Sequence, residues 1–124
     1  MENQTATQLF ESLASGIRLD AFRLLVKHGH AGLVAGEIAS ALDIAPNKLS
    51  FHLKALTHAG LVSVTQEGRF QRYRANLTLM LDLIAYLTAE CCSGEPGQCL
   101  DARAASSCSA ALLPPVSTVT EPKP

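Results

Sequence analysis

Apolar residues recur at helical spacing through the first sixty positions and then change period. Leu9, Phe10 and Leu13 mark a short amphipathic helix from Thr7 to Ser15. "IRLDAFRLLVKH" sets Ile17, Ala21, Leu24, Leu25 and His28 near one stripe, with Phe22 beside it and Gly29 as a C-terminal stop. "GEIASALDI" predicts a short helix with Ile38, Ala39 and Leu42 inward. "APNKLSFHLKALTHAG" predicts another, opening at Pro46 and closing at Gly60, with Leu49, Leu53 and Leu56 on its buried face. "LVSVTQEGRFQRYRA" then alternates over two runs joined near Glu67-Gly68, as a β-hairpin does. Asn76 caps a last helix, "LTLMLDLIAYLTAECC", which is apolar almost all round.

A single-domain core needs only one apolar stripe per helix. The excess on the last helix therefore implies a partner, most simply the same helix of a second subunit. The order is four helices, a hairpin and a fifth helix, a mainly α fold with a β-hairpin (α+β). Two short helices, a tight turn and a following hairpin describe a winged helix-turn-helix. In that motif the second helix enters the DNA major groove and the wing lies along the phosphates. Residues 1–92 are expected to form this domain. Residues 93–124, with five of the six prolines, are expected to form a flexible tail with a helical turn near Asp101 to Ala105.

Charge sharpens the picture. The chain of 124 residues has a net charge of -1. Between Pro46 and Arg74, however, Lys48, Lys54, Arg69, Arg72 and Arg74 face only Glu67, leaving that segment at +4. Such asymmetry suits an anionic polymer, against the plainer alternative of a solvated charged face. No apolar run reaches the roughly 20 residues needed to cross a bilayer, and "MENQTATQLFESL" lacks the features of a secretion signal. A cytoplasmic, reducing location is expected.

Three of the four cysteines, Cys91, Cys92 and Cys99, fall within nine positions, and Cys108 lies nine residues further on. In a reducing compartment clustered cysteines are more often thiols or metal ligands than structural disulfides. Thiolates favour soft ions. Three sulfurs complete a pyramid around trivalent arsenic or antimony, whose lone pair fills the remaining position, whereas structural zinc normally takes four ligands. Gly94, Pro96 and Gly97 give the chain freedom for Cys99 to fold back. A buried small hydrophobe at Cys91, a thiol–disulfide sensor, and a cadmium, lead or zinc site that adds Cys108 stay open as alternatives.

The stretches "LASGIRLDAFRLLV", "GEIASALDIAPNKLSFHLKALTHAGLV" and "EGRFQRYRAN" closely resemble the ArsR/SmtB metal-sensing repressors over roughly residues 9 to 90. The most specific piece runs from Ser50 to Leu56 and on to "AGLV". The resemblance implies a homodimer, paired through its first and last helices, that holds operator DNA until an inducer releases it. The family's cysteine site on the first helix of the helix-turn-helix is absent, because Val34 and Gly36 stand there. The final helix offers Asp82 and Glu90 but no histidine for a zinc-type site. The remaining cluster resembles the family variant in which a Cys-Cys pair and a later cysteine hold arsenite. The inducer implied is As(III), with Sb(III) and methylarsenite as further candidates and no organic cofactor.

On the DNA side, Asn47, Lys48, Ser50, Phe51 and Lys54 lie away from the leucine stripe. Asn47 and Ser50 suit base edges, Lys48 and Lys54 base or phosphate, and Phe51 a thymine methyl. His52 either joins them or packs on its own domain. Arg69 at the wing tip is the best phosphate candidate, followed by Arg72, while Tyr73 is expected to pack against Val62 and Val64. His28, His30 and His58 read as surface or capping groups. No enzyme is expected: there is no phosphate-cradling glycine loop, no placeable Ser/His/Asp set and no cysteine in an anion-binding loop, as an arsenate reductase would require.

Overall fold

The computed structural model describes residues 1–89 and 96–107, and for residues 96–99 the backbone alone. Helix α1 spans Asn3–Leu13 and α2 spans Gly16–His28. The Ser15 hydroxyl caps α2 by accepting from the Arg18 N–H at 3.4 Å. A short 3-10 turn, Gly29–Ala31, leads into β1, Leu33–Val34. Next come α3, Ala35–Leu42, and α4, Pro46–His58, with proline in the first turn, where the missing N–H is not needed. Strands β2, Val62–Glu67, and β3, Phe70–Ala75, precede α5, Leu77–Leu87, and α6, Pro96–Ala105.

Met1–Met80 forms one compact unit, and the described residues from Leu81 onward belong to another. The first unit is built around Ala21, Phe22 and Leu25 of α2, Ile38 of α3, and Leu49, Leu53 and Leu56 of α4. Leu61, Val62 and Tyr73 close it from the sheet side. The α4 stripe matches expectation. The α2 stripe is rotated: Phe22 is in the core, Leu24 and Ile17 are half-buried, and His28 is exposed. β3 packs on α2 and draws that helix's buried face toward Phe22.

The sheet is three-stranded and antiparallel, in the order β1-β3-β2. The expected hairpin is there, pairing Val62 with Ala75 and Glu67 with Phe70 around a two-residue turn, Gly68-Arg69. Gly68 has φ 61°, and Arg69 stays at negative φ, the pattern of a type II′ turn that needs glycine at its first central position. The third strand corrects the expected element order. Leu33 pairs with Tyr73 and Val34 with Arg72, but two residues carry no alternation for a sequence pattern to register. Helix α6 is a second correction, replacing the expected single turn with ten residues that begin at Pro96.

Asn76 ties the recognition half to the next helix. Its Nδ2 donates to the Gly60 carbonyl at 2.9 Å, and its Oδ1 accepts from the Leu79 N–H at 3.2 Å. Its own N–H donates to the Leu61 carbonyl at 2.8 Å. One side chain thus caps α5 and satisfies the loop that ends α4.

Candidate nucleic-acid interface

The turn between α3 and α4 is set by Asp43, in the left-handed region at φ 55°, ψ 51°. Asp tolerates that conformation better than branched residues do. The Ile44 N–H reaches back to the Ala39 carbonyl at 3.1 Å, closing the end of α3. At the other end of α3 the Glu37 carboxylate accepts from the Val34 N–H at 3.0 Å. Both ends are fixed before α4 begins.

With Leu49, Leu53 and Leu56 inward, α4 turns Asn47, Lys48, Ser50, Phe51 and Lys54 to solvent. Asn47 Oδ1 accepts from the Lys48 N–H at 2.9 Å, holding the first turn. Phe51 is 69% exposed, a large cost for an aromatic ring unless something covers it. His52 is half-buried and meets the Phe51 ring edge-on, with centroids 5.3 Å apart. Its Nδ1 is buried without a hydrogen-bond partner. Burial, then the nearby Arg18 and Lys48 cations, push its pKa below the ordinary 6.5.

In the wing, the three arginines have different surroundings. Arg69 sits exposed at the tip. Arg72 Nε donates to both Glu67 carboxylate oxygens, at 2.9 and 3.1 Å, and its Nη1 donates to the Ala31 carbonyl at 3.0 Å. Arg74 Nε donates to the His30 carbonyl at 2.7 Å, and its Nη1 to Thr65 Oγ1 at 3.2 Å. Arg72 and Arg74 are braces that hold the hairpin to the 3-10 turn. Arg72, expected as the phosphate candidate after Arg69, is also paired with Glu67, the one acid of the basic segment. Tyr73 is buried opposite Val64, with its hydroxyl donating to Gln71 Oε1 at 3.1 Å, and burial raises its pKa.

Two features had no signal in the sequence. Gly32 lies directly beneath the Tyr73 carbonyl, where a Cβ has no room. Phe70, beside the wing tip, is 57% exposed. Among the histidines, His28, His30 and His58 are exposed. Among the described residues no group of three or more His, Cys, Asp and Glu side chains could hold a metal. Cys91, Cys92 and Cys108 lie outside the described residues. Cys99 falls within α6, and its side chain is likewise outside them.

A helix-turn-helix domain family matches residues 13–65. An ArsR-like transcriptional regulator from Rhodococcus sp. RHA1 superposes with a TM-score of 0.62 at 26% identity, covering 82% of this chain and 88% of that one. HlyU from Vibrio cholerae N16961 gives 0.57 at 28% identity, over 70% of this chain and 97% of that one. The homodimeric winged helix-turn-helix DNA-binding domain of Mb0332 from Mycobacterium bovis gives 0.55 at 27%, over 70% and 81%. No curated protein matches the chain.

A reading helix with a bared polar face, set beside a braced hairpin, defines a winged helix-turn-helix DNA-binding protein. The chain is similar in fold and in sequence to ArsR-like transcriptional regulators. Among the described residues no helix is long and apolar enough to cross a membrane.

Proposed function

We propose that this chain is a cytoplasmic repressor of an arsenic-resistance operon. A homodimer holds operator DNA and lets go when As(III) or Sb(III) is bound by Cys91, Cys92 and Cys99. Cys108 is an additional ligand candidate, and methylarsenite is a further inducer that two thiols alone can hold. The observation that carries the reading is the thiol cluster itself, which begins four residues after Leu87, the last residue of α5. Leu77, Leu81 and Leu87 of α5 and Phe10 of α1 are exposed in the single chain. These exposed apolar residues support pairing through the first and last helices, and the Mycobacterium bovis relative is homodimeric. In a symmetric dimer the two α4 helices would meet successive major grooves about 34 Å apart. An ion bound beside the pairing helix then needs only about 1–3 kcal/mol of coupling to loosen the operator.

A second reading, a thiol–disulfide switch, is favoured by one specific likeness. The reduced form of HlyU from Vibrio cholerae matches at 27% identity and a TM-score of 0.55. The experiment is an operator-binding titration with arsenite, antimonite, cadmium, zinc and peroxide on wild type and each Cys→Ser variant. Arsenite should release wild type, and Cys91→Ser, Cys92→Ser and Cys99→Ser should each keep operator affinity while blunting release. Release by peroxide without metalloid selects the redox reading. Release by cadmium or zinc at lower free concentration, with Cys108 required, selects a divalent sensor. Undiminished arsenite release from the triple serine variant refutes the metalloid site.

A further inference from the structure

The wing carries an aromatic ring that its own fold leaves largely uncovered. Alternation along β3 puts Phe70, Arg72 and Arg74 on one face of the hairpin and Gln71 and Tyr73 on the other. Tyr73 is buried, whereas Phe70 is 57% exposed. Residues directly opposite in an antiparallel pair share a face. The β2 residues on the Phe70 face are therefore Glu67, Thr65 and Ser63, which pair with Phe70, Arg72 and Arg74. Every neighbour of the ring on that face is polar.

Phe70 opens β3 directly after Arg69 of the tight turn, which is itself exposed. The Arg72 and Arg74 bonds to the Ala31 and His30 carbonyls fasten the hairpin to the 3-10 turn. Arg72 also holds the Glu67 carboxylate, directly across from Phe70. The tip thus offers a cation and a ring side by side, on a wing whose one acid is engaged. Among the described residues Phe51 and Phe70, both within the +4 segment from Pro46 to Arg74, are the two most exposed large apolar side chains. A protein partner is marked by a contiguous apolar patch. Single rings set among cations suit a nucleic acid instead, with phosphates on the cations and bases on the rings.

We propose that Phe70 is a minor-groove wedge. With α4 in the major groove, the wing tip lies over the adjoining minor groove, Arg69 enters it, and the Phe70 ring slides between two base pairs. Strand β2 packs against α4 within one compact unit, so the wedge keeps a set distance from the bases that α4 reads. An apolar wedge unstacks a base step and bends the duplex toward the major groove. Pyrimidine–purine steps such as TA and CA/TG give way most readily. Phe70 thereby confers a sequence preference where the protein makes no hydrogen bond to a base edge. The proposal rests on the DNA-binding reading and is independent of the thiols and of any inducer.

The test uses the full chain and a duplex that the wild-type protein recovers from a randomised pool, dye-labelled at both ends. Energy transfer should report a bend in the wild-type complex that is lost with Phe70→Ala and kept with Phe70→Leu, which still supplies an apolar wedge. Phe70→Ala should weaken binding roughly fivefold or more at an unchanged salt slope, since no phosphate contact is removed. Its urea midpoint and sedimentation should match wild type, because the ring is exposed. Replacing the pyrimidine–purine step under the wing by a purine–purine step should weaken wild type and leave Phe70→Ala unaffected. The chain has no tryptophan, so Phe70→Trp adds a single reporter, whose emission the duplex should quench and shield from acrylamide. An unbent wild-type complex, a bend and affinity unchanged by Phe70→Ala, or Phe70→Trp emission untouched by the duplex overturns the wedge. Altered self-association in Phe70→Ala would place the ring in a protein contact and overturns it equally. A chain that binds no duplex removes the DNA reading and the wedge with it, whereas one that binds but ignores Phe70→Ala removes the wedge alone.

Discussion

Gly32→Ala isolates how the wing is fastened. Gly32 has φ 61° and ψ -167°, a region open essentially to glycine alone. A side chain there costs about 1–3 kcal/mol in backbone strain. The added methyl would also run into the Tyr73 carbonyl, with Arg74 Cγ only 2.9 Å away. That obstacle is strand backbone, which cannot swing aside as a long side chain can, so overpacking adds about 1–3 kcal/mol. The combined loss, about 2–6 kcal/mol, is a large share of the 5–15 kcal/mol typical of a domain. It falls where the Leu33–Tyr73 pair and the arginine bonds to His30 and Ala31 hold the wing. Urea denaturation should therefore show a lower midpoint at unchanged m-value, and operator affinity should fall even under conditions where the variant is folded. Gly36→Ala is the control: it lies within α3 with nothing within 4 Å of the new methyl, and should gain about 0.5–1 kcal/mol. If Gly32→Ala matches wild type within about 0.5 kcal/mol, the close approach under Tyr73 is not what secures the wing.

Four more outcomes follow from the geometry. Arg69→Ala should weaken binding to all duplex sequences alike and reduce the salt slope of the operator constant by about 1, whereas Arg72→Ala should chiefly lower stability, by about 1 kcal/mol. Equal salt slopes for the two variants would contradict the assignment of Arg72 as a brace. Asn76→Ala removes a helix cap and leaves the Gly60 carbonyl unpaired, so the denaturation midpoint should report a loss of about 1–2 kcal/mol. Asp43→Val places a branched side chain at φ 55° and should cost about 1–2 kcal/mol, measured the same way. Since the folded state lowers the pKa of His52, the stability carried by its neutral form is complete above about pH 6.5 and is lost as pH falls through the folded value. NMR titration should find the His52 midpoint below 6.5 in free protein and higher on DNA, where phosphates favour the cation; a midpoint above 6.5 in free protein refutes the burial argument.

Much of this molecule is legible one element at a time, because the deciding physics is local. Pro46, the Leu49/Leu53/Leu56 repeat and Gly60 mark α4 through propensity and spacing alone. Alternation around a glycine marks the wing, and Asn76 marks the start of α5. The exposed reading face then follows by subtraction, since whatever is not on the leucine stripe of α4 must point elsewhere. Contacts between residues distant in the chain decided the rest. Leu33 and Val34 become a strand only because β3 is there to pair with them. Arg72 and Arg74 look alike beside Arg69 in sequence, yet carbonyls some forty residues upstream turn them into braces. Gly32 is an ordinary loop glycine until the Tyr73 carbonyl comes to rest against it.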